Sequence, residues 1–259
     1  MSPTATPIDF LPATAASRRL EPEIMDDPSL DPALHTAALR GLGRINRLSG
    51  SAAMLWPALE SAYRSHVERR GTDRTFRVLD LACGGGDVTT ALAGRAARCG
   101  MNLRITGADV SPVALGFARR HAETAGVELD FRQLDVLSGP LPPGPAEDGR
   151  YDVAMNSLFM HHLTTDQAID VFAKMRGAAG TVLINDLRRS KLAYAFTVLG
   201  TRLITRSRVV HVDGPLSVRS AWTRDELLAL AERAGLRGAT VERRFPWRML
   251  LRWSAGGDA

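Results

Sequence analysis

Lysine is nearly missing from this chain: only Lys174 and Lys191 stand among its 33 basic residues. The rest are arginines, a bias that reads as compositional and offers no lysine-rich surface for nucleic acid. Cysteine is equally scarce. Cys83 and Cys99 have no metal-type spacing, which excludes a disulfide framework and a cysteine zinc site, and no metal is expected. Such usage fits a reducing cytoplasm. No apolar run reaches the ~20 residues of a membrane span. The most apolar late stretch, residues 192–201, is closed off by Lys191 and Arg202. The start of the chain lacks a basic segment followed by an apolar one, so no signal peptide is expected.

What is present describes a globular protein. The chain has 259 residues, 45% hydrophobic and 24% charged, enough to bury a sizeable core as one large domain or one domain plus a cap. The net charge is +5 and uneven: residues 181–259 hold 14 Lys/Arg against 7 Asp/Glu. That excess fits solvated helix faces, and equally a surface for anionic substrates or a membrane.

Residues 1–20, rich in Pro, Thr, Ala and Ser, read as a flexible tail. Leu34, Ala37, Ala38, Leu42 and Ile45 recur at helical spacing, and a second helix is expected over residues 52–69, started or kinked by Pro57. These helices precede the first strand, so residues 21–72 are expected to form an N-terminal helical lid. From residue 73 on, strands at 76–81, 103–108, 127–133, 151–156 and 181–185 alternate with helices. This alternation predicts a parallel sheet covered on both faces. Ser111-Pro112 and the boxes Thr164 to Gln167 and Thr223 to Glu226 mark helix starts. A helical insertion is expected at about 188–221, and residues 239–253 suggest a terminal antiparallel pair.

The chain is organised around residues 78–87. Val78, Leu79, Leu81 and Ala82 surround Asp80, then Cys83 leads to Gly84, Gly85, Gly86 and Asp87. The order reads as buried strand, tight glycine turn and helix start. Ligands of open parallel sheets bind beyond the carboxyl ends of the strands. Four loaded positions fall there: the turn, Asp109, Asp135, and the stretch from Asn156 to His162. An acid ending the second strand, 25 residues beyond Gly84, suits two ribose hydroxyls, because a carboxylate accepts two hydrogen bonds at once. Asp135 suits an adenine amino group. A dinucleotide is the competing ligand, but it needs pyrophosphate on the helix N-terminus. Asp80 before the turn and Asp87 at that helix start would repel pyrophosphate and attract a cation.

Val78-Leu79-Asp80-Leu81-Ala82-Cys83-Gly84-Gly85-Gly86 resembles motif I of the class I S-adenosylmethionine-dependent methyltransferases. Ile105 to Ser111, Phe131 to Val136, and Tyr151 to Ala154 with Phe159 to Leu163 resemble their later motifs, so the likeness covers about residues 76–186. Ala82 departs from it, standing where the family more often has glycine. The resemblance implies an α/β, Rossmann-like, seven-stranded, mostly parallel sheet with the last strand antiparallel and helices on both faces. It implies S-adenosylmethionine as cofactor, with Asp80 near its amino group, Gly84 and Gly86 along its methionine part, Asp109 on the ribose and Asp135 near the adenine. Ala82, Asp87, Val110, Val136 and Asn156 are further candidate cofactor-binding residues beside them.

Methyltransferases acting on nucleic-acid base amines carry prolines after the fourth strand. Asn156-Ser157-Leu158-Phe159 has none, so a small-molecule acceptor is expected and no nucleic-acid partner. Transfer to a hydroxyl requires alignment and loss of a proton. His161, His162 and His211 are the candidate bases, since histidine titrates near neutral pH. Arg188 and Arg189 are candidates to hold an anionic acceptor. Tyr194 belongs to an apolar helix expected to line a pocket for a lipophilic aromatic acceptor. The basic flank of that helix suits peripheral contact with a membrane. O-methylation is expected ahead of C-methylation of a quinone-type ring, with an NAD(P)-dependent oxidoreductase as the alternative and a monomer or homodimer as the assembly.

Overall fold

A computed structural model of the chain describes residues 17–256 apart from residue 147. Two helices come first, α1 (Pro32–Leu48) and α2 (Ser51–Arg70). Asp31 opens α1 by accepting from the amides of Ala33 and Leu34, with Pro32 in the first turn where no amide is needed. Then come β1 (Phe76–Leu81), α3 (Asp87–Arg98), β2 (Leu103–Asp109), α4 (Pro112–Thr124) and β3 (Asp130–Gln133). They are followed by β4 (Tyr151–Ser157), α5 (Thr165–Ala178), β5 (Ala179–Leu187), α6 (Lys191–Ile204) and α7 (Arg208–Ser220). The chain closes with α8 (Arg224–Arg233), β6 (Thr240–Arg244) and β7 (Arg248–Ser254).

The seven strands form one sheet in the order β3-β2-β1-β4-β5-β7-β6. All pairs are parallel except those made by β7, which runs antiparallel to β5 and β6. This is the expected sheet, with β6 and β7 as the terminal pair. β1 is the middle of the core because its side chains are apolar on both faces. Leu79 and Leu81 pack with Phe172, Trp222 and Leu227 under α5 and α8. Phe76 and Val78 pack with Leu55, Leu59 and Leu92 under α2 and α3. Both layers are nearly dry, and each fully buried Leu or Phe contributes on the order of 2 kcal/mol.

The two N-terminal helices divide their work. α2 lies on the sheet against β4 and β5, whereas α1 reaches over α3, α4 and α7 at the carboxyl ends of the strands. Residues 1–16 of the tail expected over 1–20 lie outside the described residues. Arg18, at its end, is firmly bonded into the fold, as described below.

Two boundaries differ from the sequence reading. The third strand is only Asp130–Gln133, shorter than 127–133, because residues 127–129 pack without pairing to β2. The insertion holds two helices, where the sequence pointed to one. Gly214-Pro215 reads as a helix breaker, yet both lie inside α7. The glycine is needed there: a Cβ at Gly214 would sit 3.0 and 3.1 Å from the methyls of Thr201 and Thr197 on α6. Close packing of α6 on α7 outweighs local propensity.

Candidate active site

The turn after β1 is built from positive φ angles. Ala82 (φ 53°), Gly84 (54°) and Gly86 (69°) are all left-handed. A Cβ on Gly86 would come 2.8 Å from that of Ala118, whereas the space beside Gly84 is open to 4 Å. The Gly84 amide donates to Asp109 Oδ2 (2.8 Å) and the Ser111 amide to Oδ1 (2.9 Å). Asp109 therefore fixes the turn, and each of its oxygens keeps a second lone pair for a ligand.

Three acids crowd this turn. Asp80 is buried and accepts from the Thr89 hydroxyl. Burial, then the charges of Asp87 and Asp109, push its carboxyl up to about 7 against that bond. Burial also raises Asp87, despite the Asn46 side chain of α1 that bonds it, and raises Asp109, despite the two amides. Carboxylates whose charge is this poorly compensated fit a cationic ligand and disfavour pyrophosphate. The residues present thus suit the amine and sulfonium of S-adenosylmethionine. Farther out, Val110 and Asp135 are exposed, Asp135 accepts from the Leu137 amide, and Val136 is buried. Asn156 is fully buried and points its amide at Met175 of α5, with Oδ1 lacking a partner.

Beside the turn, beneath α1, α6 and α7, lies a cavity of about 350 Å³. Met25, Leu42, Ile45, Leu158, Phe196 and Trp247 give it an apolar wall. Asn46, which bonds Asp87, also lines it, so cavity and turn share a wall. Its polar end is a cluster: Glu23, His161 and His162.

The cluster is closely held. A short 3-10 turn, Met160–His162, follows β4 and carries both histidines. His161 is buried; its backbone amide donates to Asp186 Oδ2 (3.0 Å), and Nδ1 lies 2.6 Å from Asp186 Oδ1. Burial alone would raise the Asp186 carboxyl, but His161 and the Leu187 amide hold it below the usual range. His162 Nδ1 lies 3.0 Å from Asp26 Oδ2. Burial would lower His162, but the bond to Asp26 and the charges of Glu23, Asp26 and Asp186 lift it to about 9. Glu23 accepts from the Ser217 hydroxyl (2.6 Å) and faces Nε2 of each histidine at 4.0 Å.

Glu23 and Asp26 come from a segment before α1 that is tied down along its length. Asp213 of α7 accepts from the amides of Ile24 and Met25. Arg18 donates to the carbonyls of Ser220, His161 and Leu163, and its guanidinium lies 3.5 Å over the Trp222 ring. Trp222 in turn donates to the Met160 carbonyl (2.8 Å).

The candidate acceptor-side residues thus separate. His161 and His162 meet at the cavity. His211 does not: its Nε2 lies 2.8 Å from the Thr205 carbonyl. Arg189 pairs with Glu226 (2.7 Å) and donates to the Ala221 carbonyl, tying β5 to α8. Arg188 binds through its backbone amide to the Trp247 carbonyl. Tyr194 is half-buried on α6, where Phe196 and Thr197 line the cavity. Sequence reasoning missed Asp186, Glu23 and Asp26. Asp186 could have been found, because it stands near the carboxyl end of a strand like Asp109. Glu23 and Asp26 carry no periodic or motif signal.

The chain is similar to known proteins in sequence and in fold. Residues 78–179 match a family described as a methyltransferase domain. The chain is 28% identical over 169 residues to a ubiquinone biosynthesis O-methyltransferase of Stutzerimonas stutzeri, covering 62% of this chain and 67% of that one. It is 26% identical over 208 residues to that of Xylella fastidiosa, covering 78% of each. Other such relatives are matched over only 63% and 55% of their length. In fold, it resembles the S-adenosylmethionine-dependent methyltransferase SibL (TM-score 0.56, 20% identity, covering 94% of this chain and 63% of SibL). It also resembles the CurJ carbon methyltransferase (TM-score 0.59, 14% identity, covering 87% and 61%).

Proposed function

We propose that the chain is a class I S-adenosylmethionine-dependent methyltransferase that methylates a hydroxyl of a lipophilic aromatic small molecule. One observation carries the reading: the cavity beside the glycine turn has a broad apolar wall and a polar end where His161, His162 and Glu23 converge, with Asp186 behind His161, while Asn46, Ser49 and Arg248 line it elsewhere. A hydroxyl meets the polar end and the remaining hydrocarbon meets the wall. The O-methyltransferase relatives support oxygen as the methylated atom.

S-adenosylmethionine, when bound at the turn, supplies an electrophilic methyl group. Asp80 and Asp87 would hold its cationic amino end. The backbone at Ala82, Gly84 and Gly86 would run along the methionine part. Asp109 would take the ribose hydroxyls, with Val110, Asp135, Val136 and Asn156 around the nucleoside. On the acceptor side, Asp186 holds His161 by Nδ1 and leaves Nε2 facing the cavity. The task of the cluster is to remove the hydroxyl proton and hold the charge left on oxygen. α1, over both turn and cavity, would act as the lid that excludes water.

The outer face of α6 supports a lipophilic acceptor. Leu192, Phe196, Leu199 and Leu203 form an exposed stripe at helical spacing, with Lys191, Arg202 and Arg206 at its borders. Phe196 belongs to both stripe and cavity wall, giving a long alkyl chain a route to a membrane surface. Two free cysteines are consistent with a reducing cytoplasm. Methyl transfer measured on a water-soluble phenol and on its long-chain analogue tests the reading. The analogue should react with the lower KM, giving a methyl ether by mass spectrometry. Equal turnover of the two, or a C-methylated product, would overturn it.

A further inference from the structure

We infer that Glu23, His161 and His162 together bind a divalent transition-metal cation of the zinc class. Each histidine turns Nδ1 to a carboxylate, His161 to Asp186 at 2.6 Å and His162 to Asp26 at 3.0 Å. A carboxylate only accepts, so each Nδ1 carries a proton, and Nε2 is the ring atom left to take a ligand, giving up any proton of its own when a metal binds. Both Nε2 atoms face Glu23: that of His161 is 4.0 Å from Oε1, and that of His162 is 4.0 Å from Oε2. One ligand atom from each residue lies within 4.8 Å of the others. The 4.0 Å gap is too long for a hydrogen bond and a little wider than the ~3.4 Å that separates neighbouring ligands of a tetrahedral metal with bonds of about 2.0–2.2 Å, so a small inward shift of these side chains brings them into ligating range.

The surroundings have the form of a metal site. A histidine ligand that gives its other ring proton to a carboxylate is the usual outer arrangement, and here it occurs twice. Glu23, Asp26, Asp186 and Asp213 supply negative charge against two cations: Arg18, which donates to backbone carbonyls, and Arg248, buried on the same cavity and donating to the Ser49 hydroxyl. Two imidazoles and one carboxylate favour zinc, manganese or iron over magnesium or calcium. All three ligands line the cavity, so the remaining coordination positions open onto it. No motif announces the set, since Glu23 stands 138 residues before His161.

This inference rests on the acceptor site proposed above. There, the hydroxyl oxygen would ligate the cation and release its proton to water, with the histidines serving as ligands. Calorimetry with zinc chloride, and electron paramagnetic resonance with manganese, on chelator-treated full-length protein test it. One equivalent should bind. Glu23→Gln and His162→Gln should each weaken binding more than about 10-fold while calorimetric S-adenosylmethionine binding persists, showing that the variants are folded. No stoichiometric binding up to about 1 mM, or equal binding by both variants, overturns the site. Full methyl transfer by metal-free protein would also overturn the site and leave the proposed function standing. Metal binding without transfer to any phenol would leave the site and remove the function.

Discussion

The donor and acceptor halves of the site are built on opposite plans. The donor half is local: a strand, a turn and a helix start place Asp80, Gly84, Gly86 and Asp87 within a few residues, and β2 adds Asp109 beside them. The acceptor half is a gathering. Glu23 and Asp26 come from ahead of α1, the histidines follow β4, Asp186 stands on β5, and α6 and α7 supply the wall. On the proposed reading, a short motif with an acid from the next strand would hold the amino end and ribose of the cofactor, whereas the acceptor would be held by parts from across the chain.

Breaking each half separately tests that division. The largest effect belongs to the acceptor cluster. His161→Ala should lower kcat about 100-fold or more while leaving S-adenosylmethionine affinity, read by calorimetry, within error. Loss of cofactor binding in that variant would mean the halves are not separable. Next in size is Asp109→Ala, which removes the brace of the turn with any ribose bonds. It should cost about 1–3 kcal/mol of cofactor affinity, with little change in the metal or phenol affinity of the other half.

A pH series addresses the donor half alone. The Asp80 pKa stands at about 7 in the ligand-free fold, above its ordinary 3.8. A proton there therefore stabilises the free protein below pH 3.8 most fully, and this contribution fades as pH rises through 7. A bound cation needs the deprotonated form. Cofactor affinity should be full above about pH 7 and fall by up to about tenfold per unit below it, a slope that Asp80→Asn abolishes. The smallest effect is Ala82→Gly. Ala82 holds a left-handed φ of 53° at a cost that glycine does not carry. The substitution should raise stability by about 1 kcal/mol in denaturant melts and leave turnover unchanged.

The same division explains what the sequence revealed. Strand alternation, capping boxes and the acids after β1 and β2 are short-range signals, and they made the alternating parallel architecture and the residues of the turn legible, while the seventh, antiparallel strand came from the family resemblance. His161 and His162 were found because the carboxyl end of β4 is a privileged place. Which of them meets the cavity depends on Asp186 and Asp26, whose positions are set by tertiary packing. α7 was hidden by Gly214-Pro215, since the fit of that glycine against Thr197 and Thr201 is invisible without α6. His211 looked equivalent to the other two until the Thr205 carbonyl claimed it.

The ties of residues 18–26 also order events in time. Ser217 is 194 residues beyond Glu23, and the carbonyl of His161 is 143 beyond Arg18. Closing loops of that length costs entropy before any contact repays it. The segment is made before β4, β5 and α7, yet has nothing to dock on until they are in place. The proposed donor half can therefore form early, while the proposed acceptor cluster is completed only when this segment docks.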